Sequence, residues 1–159
     1  MCSFSFFIQK LVLYWKSYLE IKIFIMCLKS NILLKTTSGI MPHLRIETNL
    51  PRSKIPQDFV TKAVPKLAQA LGKPEQYCVV SVCPDSLMSF GGSTEPCAIA
   101  NLMSIGALGV EQNKKHAKVL YDLIEKELGV SKSRMYITFQ DEPTANVGYN
   151  GTTFHALFG

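Results

Sequence analysis

The chain repeats one pattern of strand, helix and strand twice between residues 44 and 139. Short apolar runs indicate strands, and apolar residues three or four positions apart indicate helices. The predicted strands are 44–50, 77–83, 97–103 and 134–139, and the predicted helices are 57–71 and 112–128. Successive elements start 13 and 20 residues apart in the first half and 15 and 22 in the second. This repeat predicts an α+β fold in which two β-α-β units share a four-stranded sheet with both helices on one face.

Glycines mark the ends of both predicted helices. Gly72 follows the first helix and Gly129 the second, and glycine readily takes the left-handed conformation that ends a helix. Pro65 lies inside the first helical pattern, where it lacks a backbone N–H and collides with the preceding turn. We therefore expect the first helix to bend or break locally at Pro65.

Two helices can cover only one face of the predicted sheet. The strands that hold Val79, Ile99 and Ile137 contain few polar residues, which is typical of strands buried on both faces. The domain has no further predicted helix for the second face. We therefore expect neighbouring subunits to cover it, which makes the protein an oligomer.

Residues 1–40 differ in composition from residues 41–159, which have the length of one small domain. Five lysines and one glutamate give residues 1–40 a charge of +4, out of +5 for the chain. The domain therefore lacks the basic excess typical of nucleic-acid binding. Lysines interrupt the apolar runs of the extension, which predicts neither a transmembrane segment nor a conventional signal peptide. An unused upstream start, a disordered tail and a membrane-touching leader remain as interpretations.

The cysteines indicate neither a disulfide framework nor a metal site. Their number is odd and their spacing does not match that of zinc ligands. We therefore expect reduced thiols and no metal. The five cysteines are Cys2, Cys27, Cys78, Cys83 and Cys97.

A methionine followed by proline, Met41-Pro42, stands directly before the first predicted strand. If translation starts at Met41 and this methionine is removed, Pro42 carries a free secondary amine, which is a proton acceptor. If residues 1–41 remain, the same nitrogen belongs to a tertiary amide, which is neither basic nor nucleophilic. Catalysis by Pro42 therefore depends on which residue begins the mature chain.

Residues 41–154 resemble the macrophage migration inhibitory factor family of the tautomerase superfamily. The resemblance implies a homotrimer whose active sites lie between subunits. It also implies an activity that needs no cofactor. It rests on Met-Pro at 41–42, Thr-Asn-Leu-Pro at 48–51, Gly-Lys-Pro at 72–74, Phe-Gly-Gly at 90–92, Ser-Ile-Gly at 104–106 and Ala-Asn-Val-Gly at 145–148.

The resemblance assigns the proton transfer to Pro42, as the catalytic base. Lys73 corresponds to the lysine that holds the substrate carboxylate and lowers the pKa of the proline. Ile105 corresponds to a residue whose backbone amide binds a substrate oxygen.

Three further residues match the aromatic and polar lining of the family pocket. Tyr136 corresponds to a tyrosine contributed by a neighbouring subunit, and Phe154 to an aromatic wall residue. Thr138 replaces the usual asparagine with a shorter side chain that reaches differently. Gln140 and Tyr149 replace a tyrosine and a tryptophan, so we expect differences in substrate fit rather than in proton transfer.

Two functions follow from the resemblance. The first is an isomerase, a keto–enol tautomerase that acts on phenylpyruvate, a similar aromatic 2-oxo acid, or a dopachrome-like substrate. The second is a secreted, cytokine-like signalling protein whose partner is a cell-surface receptor. We expect a cytoplasmic protein, or secretion without a conventional signal peptide.

Overall fold

The computed structural model describes residues 41–158; the expectations for residues 1–40 lie outside them. The first half consists of strand β1 (Pro42–Thr48), helix α1 (Phe59–Leu71) and strand β2 (Val79–Cys83). Strands β1 and β2 are parallel. This is the first predicted β-α-β unit, and its first strand begins two residues before the predicted start.

The second half repeats this arrangement with strand β3 (Ala98–Ser104), helix α2 (Val110–Leu128) and strand β4 (Met135–Asp141). Strands β3 and β4 are parallel, and β3 runs antiparallel to β1. The sheet order is β2-β1-β3-β4. The predicted α+β fold with a four-stranded sheet is confirmed.

Helix α1 runs without interruption through Pro65, so the predicted local break is wrong. A proline inside a helix costs about 3 kcal/mol. The same helix buries Phe59, Leu67 and Leu71, and burying each large apolar side chain stabilises the fold by about 1.5–3 kcal/mol. Packing therefore outweighs the local effect of the proline.

Glycine ends both helices, as predicted. Gly72 and Gly129 have φ values of 66° and 71°, and residues with a Cβ rarely adopt this left-handed conformation. After Gly72 the chain turns back, and the Lys73 N–H donates to the carbonyl of Ala68 over 2.9 Å. This turn directs the side chain of Lys73 into the protein, where it is buried.

The helices cover one face of the sheet, and its other face, the open face, is more polar than expected. Val79 and Ile99 lie on the open face and are each 47% exposed. Strand β1 places Arg45 and Glu47 there as well, joined by an ion pair of 3.0 Å. The sequence analysis grouped Ile137 with Val79 and Ile99, but its side chain packs against the core on the helix-covered face. Side chains alternate along a strand, and the period of β4 turns this residue towards the helices.

The C-terminal part forms three short elements that the sequence does not predict. Strands β5 (Gly148–Tyr149) and β6 (Thr152–Thr153) pair antiparallel, and helix α3 (Phe154–Phe158) follows. Elements of two to five residues are too short to give a hydrophobic period. They matter because they bring Phe154 into a second apolar cluster with Ile105 and Val147.

Candidate active site

The start of β1 lies beside the end of β3. The antiparallel register pairs Pro42 with Ser104, and the Ser104-Ile105-Gly106 segment continues from there. The ring of Pro42 is fully buried. Two segments more than 60 residues apart in sequence therefore meet at the predicted base, with the predicted amide-bearing residue next along the chain.

Lys73 enters this region from the end of α1. Its Nζ donates to Ser104 Oγ, to the carbonyl oxygen of Ile105 over 2.8 Å and to that of Gly106 over 3.3 Å. These three partners are neutral oxygens. The three N–H donors of the ammonium group are thus directed at these oxygens, and a carboxylate that binds to it would take the place of one of them.

Burial controls the ionisation of Lys73. Loss of solvation lowers the pKa of its ammonium group to about 8, while the nearby Asp141 and Cys78 act in the opposite direction. The charged form is disfavoured when it leaves water. Lys73 is therefore a cation at neutral pH and loses its charge over a mildly alkaline range.

An apolar and aromatic cluster adjoins this polar group. Ile105, Val147 and Phe154 form its buried part, and the side chains of Met41 and Tyr77 pack against it. The rings of Tyr77 and Phe154 meet edge to face with centroids 6.2 Å apart. A flat aromatic group of a ligand would find similar contacts here.

Tyr77 is a site residue that sequence reasoning missed. Its ring also meets that of Tyr149 at 5.5 Å, and Tyr149 stacks on Phe154 at 5.3 Å. The available signal was its place after the Gly-Lys-Pro turn and two residues before β2. Ser104 and Asp141 were also missed, because a polar residue at a strand end carries no signal until its partners are known.

Tyr136 and Thr138 are not brought to Pro42 within one chain. Both lie on the open face of β4, whereas Pro42 lies on the covered face. Tyr136 is 64% exposed and packs on Phe90 at 5.1 Å. Thr138 donates to the Ala100 carbonyl over 3.3 Å and accepts from Asn101 Nδ2 over 2.9 Å. Of the six predicted site residues, Pro42, Lys73, Ile105 and Phe154 therefore lie in one region.

Among residues 41–158, no three His, Cys, Asp or Glu side chains lie close enough together to hold a metal ion. Cys97 is fully buried in the core, and Cys78 and Cys83 are free thiols.

In the part of the chain that the structure describes, no helix has the length and apolar character needed to cross a membrane.

Comparisons with known proteins agree with this fold. The family model for macrophage migration inhibitory factor matches residues 41–155. Macrophage migration inhibitory factor of Rattus norvegicus is 46% identical over 114 residues, which cover 72% of this chain and 99% of the relative. The homolog of Brugia malayi is 44% identical with the same coverage.

Solved structures of the same kind superpose on the domain. The macrophage migration inhibitory factor of Trichinella spiralis aligns with a TM-score of 0.68 and 38% identity, over 70% of this chain and 98% of that one. The homologue of Prochlorococcus marinus gives 0.66 and 33%, with the same coverage. Through residues 41–155, the chain belongs to the macrophage migration inhibitory factor family and has the fold of the tautomerase superfamily.

Proposed function

We propose that this protein is a cofactor-free keto–enol tautomerase in which Pro42, as the mature N-terminal residue, is the base. The expected substrate is an aromatic 2-oxo acid such as phenylpyruvate, or a dopachrome-like compound. Membership of the family supports isomerase activity in general. The observation that carries the finer proposal is the convergence of Pro42, the Lys73 ammonium group and the aromatic cluster at one end of the sheet.

Each part of this region supplies one requirement of the reaction. A free α-amine has a reference pKa near 8, and both burial and the nearby Lys73 cation disfavour its protonated form. Pro42 would therefore be an unprotonated base at neutral pH. Lys73 would hold the substrate carboxylate, and the backbone amide of Ile105 would bind the substrate oxygen.

The proton transfer then follows from ordinary carbonyl chemistry. Pro42 takes a proton from the carbon next to the carbonyl of phenylpyruvate. The electron pair of that C–H bond forms the carbon–carbon double bond, and the carbonyl pair moves to oxygen. The oxygen then takes the proton from Pro42, which regenerates the free base. The aromatic ring of the substrate would lie against Phe154 and Tyr77.

The position of Met41 is a steric reason for its removal from the active protein. Its side chain packs on the cluster of Ile105, Val147 and Phe154, where the substrate ring would lie. Removal of the chain up to Met41 would therefore free the nitrogen of Pro42 and clear apolar surface beside it in one step.

Replacement of Lys73 by alanine is expected to weaken binding of phenylpyruvate much more than binding of its methyl ester. The ester has no anion for the ammonium group to hold, and a hydrogen bond to a charged group contributes about 1.5–3 kcal/mol, or roughly 10- to 150-fold in affinity. KM for both substrates, measured on the Pro42-start protein, tests this. Lys62→Ala is the matched control, because Lys62 is exposed and forms an ion pair with Asp58. Equal losses for acid and ester would contradict the assignment.

The same lysine predicts a pH dependence. Because its pKa is lowered to about 8, Lys73 carries its charge below that pH and loses it above. KM for phenylpyruvate should therefore rise through mildly alkaline pH, while KM for the ester should not follow this change. The rise should begin near the pKa of Lys73 in the free enzyme. A bound carboxylate raises the pKa of Lys73 in the complex, which extends the rise to higher pH.

We also propose that the active protein is a homotrimer with the site between subunits. Tyr136 is exposed and lies on the face opposite Pro42, so it can line a Pro42 site only from another copy. Light scattering of the Pro42-start protein at micromolar concentration should give three times the chain mass. A monomer mass under these conditions would exclude the shared site.

A signalling role is the second candidate function. It is supported by the 46% identity to the macrophage migration inhibitory factor of Rattus norvegicus. In this role a cell-surface receptor is the partner, and secretion proceeds without a conventional signal peptide. A folded Pro42 variant without tautomerase activity that retains the signalling effect would assign the main role to the surface rather than to the pocket.

A further inference from the structure

One peptide group, between Ile105 and Gly106, is held from both sides. Its carbonyl oxygen accepts from Lys73 Nζ over 2.8 Å. Its N–H donates to Asp141 Oδ1 over 2.7 Å. A cation and an anion thus lie at opposite ends of one peptide dipole, and hydrogen bonds joined in this way strengthen each other.

The backbone around this peptide has a shape that needs such support. Gly106 and Ala107 have φ values of 68° and 60°. A left-handed residue with a Cβ persists only where the surrounding structure holds it. A second link comes from the same end of β4, because the N–H of Glu142 donates to the Ser104 carbonyl over 2.9 Å. The end of β4 therefore controls the course of the chain after Ser104.

We infer that Asp141 is a positioning residue for the tautomerase site, whose carboxylate fixes the Ile105–Gly106 peptide and through it the direction of the Lys73 ammonium group. This inference rests on the proposed function. Asp141 makes no contact with the reacting atoms in this assignment. It acts by keeping the backbone of Ile105 and the cation that holds the substrate carboxylate in one fixed arrangement.

Charge adds to this geometric role. The negative charge of Asp141 is the main charge that favours the Lys73 cation. Cys78 would add to it only as a thiolate, but burial raises the pKa of this thiol, and the charge of Glu75 raises it further. Removal of the Asp141 charge should lower the pKa of Lys73 further, because that charge opposes the effect of burial. Lys73 should then lose its proton at lower pH. Asp141 is exposed, so added salt should reduce this charge effect.

Two variants of the Pro42-start protein separate position from charge. Asp141→Asn retains an oxygen that can accept from Gly106 but has no charge, whereas Asp141→Ala has neither. For Asp141→Ala we expect kcat/KM for phenylpyruvate to fall about 10- to 100-fold. For Asp141→Asn we expect a smaller fall, with the alkaline rise in KM moved to lower pH for the acid but not for the methyl ester. Asp122→Asn is the control, because it makes the same chemical change at an exposed carboxylate of α2 that pairs with Lys132, and it should match wild type.

Hydrogen exchange of the Gly106 amide gives a readout that does not depend on turnover. Exchange should be about 10- to 100-fold faster in Asp141→Ala than in wild type, and Asp141→Asn should restore much of the protection. Wild-type kcat/KM and unchanged Gly106 exchange in Asp141→Ala would overturn the inference. A wild-type protein without tautomerase activity would instead overturn the proposed function, and the exchange rates would still decide whether Asp141 holds the peptide.

Discussion

A protein that retains residues 1–41 is expected to turn over phenylpyruvate at the background rate, while the same chain begun at Pro42 is active. Acylation of Pro42 moves the nitrogen lone pair into the amide, where it is shared with the carbonyl. A pocket that tunes pKa cannot restore a base whose lone pair is no longer available. Because a positioned base contributes about 10²- to 10⁴-fold to a rate, the difference should be at least of that size.

The comparison requires both starts to be expressed and each N-terminus to be verified by intact mass. Met41 also packs on the cluster beside Pro42, so loss of activity alone would not separate chemistry from steric blocking. Insertion of one alanine between Met41 and Pro42 makes this separation. After removal of the methionine, the chain begins at a small residue, Pro42 is acylated, and the free amine is displaced by about 3.8 Å. We expect this protein to be inactive as well.

Activity of a chain that mass measurement shows to be intact from Met1 would contradict the free-amine mechanism itself. Activity of the alanine-inserted protein alone would point to a displaced primary amine as the base. In either case Lys73 and the aromatic cluster would remain as a binding site for the substrate.

Replacement of Pro42 by glycine in the processed protein is expected to reduce kcat/KM by about 10²- to 10⁴-fold. The variant keeps an N-terminal amine, but the amine is primary and its direction is no longer set by the buried ring. The ring of Pro42 is fully buried at the start of β1, so the glycine chain end also gains freedom. The loss should appear in kcat more than in KM, since the groups proposed to bind the substrate remain.

Folding must be tested alongside this rate. Thermal unfolding and light scattering of Pro42→Gly should show an intact fold, since β1 keeps the rest of its pairing with β2 and β3. Pro56→Gly is a matched control, because Pro56 is exposed before α1 and distant in sequence from the site residues. A folded Pro42→Gly protein with wild-type kcat/KM would refute the assignment of the base.

The fold and part of the candidate site could be predicted from the sequence for a definite physical reason. The two β-α-β units follow from apolar periods, and the helix ends follow from Gly72 and Gly129, all of which depend on neighbouring residues alone. Lys73 and Ile105 could be predicted as site residues because each belongs to a short motif on which the family resemblance rests. The local preference of proline to interrupt a helix failed at Pro65, because burial of the apolar residues of α1 outweighs it.

The tertiary structure decided which residues meet. Lys73 reaches Ser104 across 31 positions of sequence, and Gly106 reaches Asp141 across 35. Both contacts depend on the register of strands that pair only in the folded sheet. The alternation along β4 likewise turned Ile137 to the core and left Tyr136 exposed. Periodicity along the chain determined the elements of this protein, but the pairing of distant strands determined its site, because each polar partner acquires a role only when another segment lies within hydrogen-bonding distance.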